Sequence, residues 1–112
     1  MRQIVSEEAI QAAFDYLNEQ GAKAAQAKAD IIIAEFRRKR VRAQLILASK
    51  QTTAVMREAD AESHPDYWEA CQQEAEAAQA MYWHQHQRVR SDAIIEAWRT
   101  EQSNSRSLSR VA

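Results

Sequence analysis

Turn-forming residues are nearly missing from this chain: its 112 residues include one glycine, Gly21, and one proline, Pro65. Average usage is about 7% glycine and about 5% proline. So few breakers leave few places to reverse direction and favour long helices. Cysteine is equally scarce. Cys71 stands alone, which excludes an internal disulfide and removes support for secretion. Phenylalanine occurs twice, as Phe14 and Phe36, and much of the 46% hydrophobic content is alanine. A thick globular core is therefore excluded, and a thin alanine-rich seam between close helices fits better, since alanine orders at little entropic cost. No stretch approaches the ~18 apolar residues of a membrane span. The N-terminus carries no apolar run of the kind a secretory leader has, so the expected location is cytoplasmic. Neither charge sign dominates: 15 Lys and Arg face 16 Asp and Glu, a formal net charge of −1. Bulk charge therefore names no partner, and only local clusters can.

What is present is helical periodicity. Ser6 has the form of an N-cap, with Glu7 and Glu8 in the first turn where the helix dipole favours acids. Ile10, Ala13, Phe14 and Leu17 share one face at 3–4 spacing. Gly21 is expected to end or kink this first helix as a C′ residue. A second helix is predicted over about 22–62 with no breaker. Its heptad seam reads Ile31, Ala34, Arg38, Val41, Leu45, Ala48, Thr52, Val55 and Ala59, interrupted only by Arg38 and Thr52. Ser63-His64-Pro65-Asp66 is the one strong turn, because proline disfavours helix before it and suits the first turn after it. A third helix is predicted over about 66–102, with an approximate seam of Tyr67, Cys71, Ala75, Ala78, Tyr82, Val89, Ala93 and Ala97. The first helix should pack where the third ends, near Ile94, Ile95 and Trp98. Residues 103–112, rich in serine and arginine, lack an apolar period and are expected to be disordered. The expected fold is all-α: one domain over 1–102, a long antiparallel coiled-coil hairpin with a short N-terminal helix, dimerising into a bundle.

The sharpest local feature is Arg37-Arg38-Lys39-Arg40-Val41-Arg42, five basic residues in six, extended along the same helix by Lys50. Clustered cations neutralise phosphates, which makes Arg37, Arg38, Lys39, Arg40, Arg42 and Lys50 the candidate nucleic-acid-binding set. The plain alternative is a solvated face paired with acids such as Glu74, Glu76 and Asp92. Tyr82, Trp83, His84 and His86 form an aromatic patch that could stack on single-stranded bases and is expected to fall opposite the basic run. Ordinary interface packing is the plain alternative there. His84 and His86, two apart on a helix, point about 200° from each other and cannot share a metal ion easily. No metal or cofactor is expected. No glycine-rich phosphate loop or nucleophile arrangement is present, and a two-helix hairpin offers no deep pocket, so no catalytic residue is assigned and the chain is not expected to be an enzyme.

Apolar residues exceed what one seam can use. Ile32, Ile33, Phe36, Ile46, Leu47, Met56, Trp68, Met81 and Trp83 cannot all face a single partner helix. Ile32, Phe36, Ile46, Trp68, Trp83 and Trp98 are the candidate interface residues, and a homodimer is the expected assembly.

Three segments in order carry a resemblance: Ala34-Glu35-Phe36-Arg37-Arg38-Lys39; Arg57-Glu58-Ala59-Asp60-Ala61 with His64-Pro65-Asp66-Tyr67; and Ile94-Ile95-Glu96-Ala97-Trp98-Arg99-Thr100-Glu101-Gln102-Ser103-Asn104. Together they resemble a family of small helical proteins of tailed bacteriophages and prophages, encoded near recombination and single-strand-annealing genes. The resemblance implies a non-enzymatic accessory role in DNA recombination or replication. It points to partners among phage or host DNA-processing proteins, and to DNA itself. A protein-directed inhibitor or adaptor of a host nuclease or defence complex is the alternative. The resemblance carries over no catalytic residue.

Overall fold

The computed structural model describes residues 5–111. Within them the chain is all-α, with four helices in order: α1 (Glu7–Glu19), α2 (Gly21–Ala48), α3 (Ala54–Glu62) and α4 (Pro65–Val111). No helix among the described residues is long and apolar enough to cross a membrane. The chain divides into two compact units. Residues 25–82 form one; the described residues of 1–24 and 83–112 form the other.

The 25–82 unit is a helical hairpin with an additional short helix at its turn. The predicted unbroken helix over 22–62 does not form: residues 49–53 leave the helix. Hydroxyl side chains there offer the backbone alternative partners. Thr53 caps α3, its side chain accepting from the Met56 N–H at 3.2 Å. Ser49 Oγ accepts from the Gln51 N–H at 3.2 Å and donates to Asp60 at 2.7 Å. Arg57 ties the segment down by donating to the Gln51 carbonyl at 2.8 Å. The expected seam positions Thr52, Val55 and Ala59 consequently lie exposed. The predicted turn at His64-Pro65 does form. Pro65 opens α4, and the His64 ring Nδ1 accepts from the Asp66 N–H at 3.0 Å. Ala61, at 2% exposure the most buried residue of the described core, shows how little room the corner leaves for a side chain.

Along the hairpin, the buried and half-buried positions of α2 are Ala27, Ile31, Ala34, Arg38, Val41, Arg42, Leu45 and Ile46, so the expected heptad holds from Ile31 to Leu45, whereas Ala48 is exposed. The matching positions of α4 are Tyr67, Ala70, Glu74, Ala77 and Met81. Of the predicted third-helix seam in this unit, Tyr67, Cys71 and Ala78 are half-buried, whereas Ala75 and Tyr82 are exposed. The predicted phase follows apolar character. The phase observed admits Glu74, whose charge is met by Arg38 across the seam.

The other unit holds a small core in which Ile10 and Ala13 of α1 meet Ile95 of α4, flanked by Leu17, Ile94 and Trp98. This is where the first helix was expected to pack. Ser6 caps α1, accepting from the Ala9 N–H at 3.1 Å. Phe14 meets Trp98 edge-to-face at 6.4 Å. Val89, Ala93 and Ala97, predicted for the seam, are exposed, while His84 is half-buried and Ser91 is buried in their place. The helix break expected at Gly21 forms, with α1 ending at Glu19 and Gln20 as its C-cap, but Gly21 is not left-handed. No glycine takes a positive φ, and the Ala24 N–H bonds to the Gln20 carbonyl at 2.9 Å. Helix therefore restarts at Gly21, supported by the good helix formers Ala22, Lys23 and Ala24. Residues 103–111, predicted disordered, continue α4. No glycine or proline interrupts them, and extending an existing helix needs no new nucleus.

Candidate interaction surface

The basic run is largely engaged within its own unit. Arg38 pairs with Glu74, and Glu74, followed by Tyr67, holds the guanidinium protonated further above its usual range. Arg42 pairs with Glu62 of α3 at 3.1 Å and Lys39 with Glu35 at 3.1 Å. Arg37 donates to the Gln73 side chain at 3.1 Å. Arg40 and Lys50 are exposed and make no ion pair among the described residues. Six candidate cations thus become three in ion pairs, one held by a neutral amide, and two free for an outside phosphate. The acid that matters most, Glu74, was one of those named from sequence.

Within the 25–82 unit the basic run meets residues of α4 other than the aromatic patch. Arg37 and Arg38 reach Gln73 and Glu74, whereas Trp83 and His84 pack against Tyr16 of α1. The Tyr16 hydroxyl donates to the His84 carbonyl oxygen at 2.8 Å and lies 3.1 Å from Nδ1. Since the hydroxyl has one proton, Nδ1 is left as the N–H donor of that second contact. Burial pushes the Tyr16 phenol up, and Arg88 pulls it partly back. Trp83 and His84 therefore dock α1, and sequence reasoning missed this because Tyr16 lies 68 residues from His84. Glu101, near the end of α4, accepts from the Val5 N–H at 2.9 Å.

Of the six candidate interface residues, Ile32, Phe36 and Trp68 are 53%, 67% and 64% exposed. Ile46 is half-buried. Trp83 is partly exposed while touching Tyr16, and Trp98 belongs to the internal core. Ile33 and Leu47 on α2, also named from sequence as surplus to one seam, are exposed by 56% and 83%. Ile32, Ile33, Phe36 and Leu47 lie away from the α2 seam positions, with Lys39 and Arg40 between them in sequence. An apolar face of this size, carrying cations, is what a helix offers to a hydrophobic groove with an acidic rim. On the hairpin, an open groove of about 430 Å³ is lined by residues including Arg37, Val41, Leu45, Asp66 and Gln73. Among the described residues no group of three His, Cys, Asp or Glu side chains could hold a metal ion.

Comparisons with protein-family models, curated proteins and solved structures found no match to this chain.

Proposed function

We propose that the protein is a non-enzymatic, homodimeric helical adaptor that binds another protein through the outer face of α2. The observation that carries this reading is the contrast on that helix. Its basic residues are mostly satisfied internally, while Ile32, Ile33, Phe36 and Leu47 face outward. Burying such residues yields about 25 cal/mol per Å², and anchors one helical turn apart, as Ile32 and Phe36 are, suit insertion into a groove. The sequence resemblance to small phage proteins supports placing the partner among phage or host DNA-processing proteins. On this reading the protein is an accessory factor in recombination or replication that acts by protein contact. An inhibitor of a host nuclease or defence complex would use the same face. Direct DNA contact has less support, because few of the run's cations are unengaged.

A photo-crosslinking amino acid replacing Phe36, in the full chain expressed in bacteria, tests the reading. Protein adducts are expected at Phe36. Adducts to nucleic acid alone, or none, would overturn it.

A further inference from the structure

The α4 helix carries a second stripe beside its buried seam. Trp68, Ala75 and Tyr82 recur at seven-residue intervals and so share one helix face. All three are exposed, Trp68 by 64% and Tyr82 by 62%. Cys71 and Ala78, half-buried, border the stripe on the seam side, and exposed Gln72 and Gln79 border it on the other. These seven residues carry no formal charge, in a chain that is 28% charged. From Trp68 to Tyr82 the stripe runs about 21 Å at 1.5 Å per residue. Its 3–4 spacing is that of a coiled-coil seam without a partner.

We infer that this stripe pairs with the same stripe of a second copy of the chain, antiparallel, about a two-fold axis at Ala75. The sequence is symmetric about that residue in the way such pairing requires. An aromatic side chain stands seven positions to each side, so Trp68 of one copy meets Tyr82 of the other, and the reverse. Four positions out, small Cys71 meets Gln79; three positions out, Gln72 meets small Ala78. Small side chains thus face larger amides throughout, and Ala75 at the axis allows close helix approach. The absence of charge excludes like-charge repulsion, which most self-pairing helix faces must otherwise manage. Each aromatic residue buries about 150–250 Å². Trp68 and Tyr82 keep about two-thirds of that exposed, so the four rings of a dimer supply about 400–600 Å², and the stripe's other members and its flanks supply the rest of the roughly 1,200 Å² at which specific interfaces begin. Phe36 lies on the opposite side of α2 from the seam that packs on α4, so the pairing leaves it uncovered. The inference deepens the adaptor reading by assigning its dimer interface, and rests on that reading for the role of the dimer.

Sedimentation of the full chain at tens of micromolar is the test. The expected species has twice the 12.8 kDa chain mass, and Ala75→Glu is expected to halve it while leaving helical circular dichroism unchanged. In a Cys71→Ser background, Ala75→Cys should form a disulfide-linked dimer under mild oxidation. Cys71 alone should not, because two Cys71 sites would stand about 12 Å apart along the helices at 1.5 Å per residue, beyond disulfide reach. A monomeric wild type, an Ala75→Glu chain that stays dimeric, or an Ala75→Cys chain that fails to cross-link overturns the pairing. A monomer that still gives protein adducts at Phe36 would sink this inference alone. A dimer without such adducts would sink the adaptor reading alone.

Discussion

Glu74 is the residue on which the register of the hairpin turns. It occupies a seam position that an apolar residue would ordinarily fill, and Arg38 fills the facing one. Both side chains are about a quarter exposed, so the pair is only partly desolvated. Its Coulomb gain is accordingly moderate, but either partner alone would be left as an unpaired charge in the seam. Glu74→Ala is expected to cost about 1–2 kcal/mol, between the values for exposed and buried pairs. Replacing both residues by leucine should return stability to within about 1 kcal/mol of the parent or raise it. Urea unfolding of the single and double variants checks this. Equal stability of Glu74→Ala and parent would show that the pair is effectively solvated. The same residue explains why the α4 seam was misread from sequence. Ala75, Tyr82 and Val89 form the more apolar period, and nothing local reveals that Glu74, His84 and Ser91 are the ones turned inward. Their partners, Arg38 for Glu74 and Tyr16 for His84, lie 36 and 68 residues away. The misread period was nevertheless informative, since part of it is the exposed stripe assigned to self-pairing.

At the scale of elements, boundaries depend on side chains that offer the backbone an alternative partner. Gly21 marks the break between α1 and α2 without adopting the left-handed conformation that usually brings glycine to such a place. It begins α2 with a negative φ, and a Cβ added there would meet nothing within 4 Å. Alanine at this position narrows the unfolded ensemble and favours helix, with no strain in the folded chain. Gly21→Ala is therefore expected to stabilise by about 0.4–1 kcal/mol, raising the melting temperature by a few degrees. Thermal unfolding by circular dichroism reads this directly, and a lowered midpoint would contradict the helical geometry assigned to Gly21. The break at residues 49–53 shows the converse. It contains neither glycine nor proline, and a reading based on those two residues passes through it. The signal was present in weaker form, as Ser49 and the Thr52-Thr53 pair ahead of Ala54, since Thr is a good N-cap and a mediocre helix former. What could be read without a partner was read well: the Ser6 cap, the α2 heptad up to Leu45 and the Pro65 turn all depend on neighbours in sequence. The candidate surface was half legible. Ile32, Phe36 and Trp68 stood out as surplus to one seam, but Trp98 could be recognised as internal only once α1 was folded onto it.

For the molecule as a whole, the charge balance sets what nucleic acid can gain from it. The formal net charge is −1, so no long-range field draws the chain to a polyanion, and attraction has to come from the basic run. Arg38, Lys39 and Arg42 are each neutralised by a carboxylate at contact distance. Recruiting them to phosphate would mean breaking those pairs. Arg40 in the run and Lys50 beyond it are the candidate cations left without an internal partner among the described residues, since Arg37 donates to Gln73. Two phosphate contacts give a salt dependence of log affinity near −2, against about −4 to −5 if all five basic residues engaged, because each neutralised phosphate contributes about −0.9 on duplex DNA. Binding to duplex DNA should therefore be detectable at low salt, nearly lost at physiological salt, and shallow in its salt slope. Fluorescence anisotropy over a salt series measures this. Converting Glu35, Glu62 and Glu74 to glutamine should free the three paired cations and steepen the slope toward the five-contact value. Tight parental binding at physiological salt with the steep slope already in place would mean that phosphate outcompetes the internal carboxylates, and would restore the basic run as the functional surface.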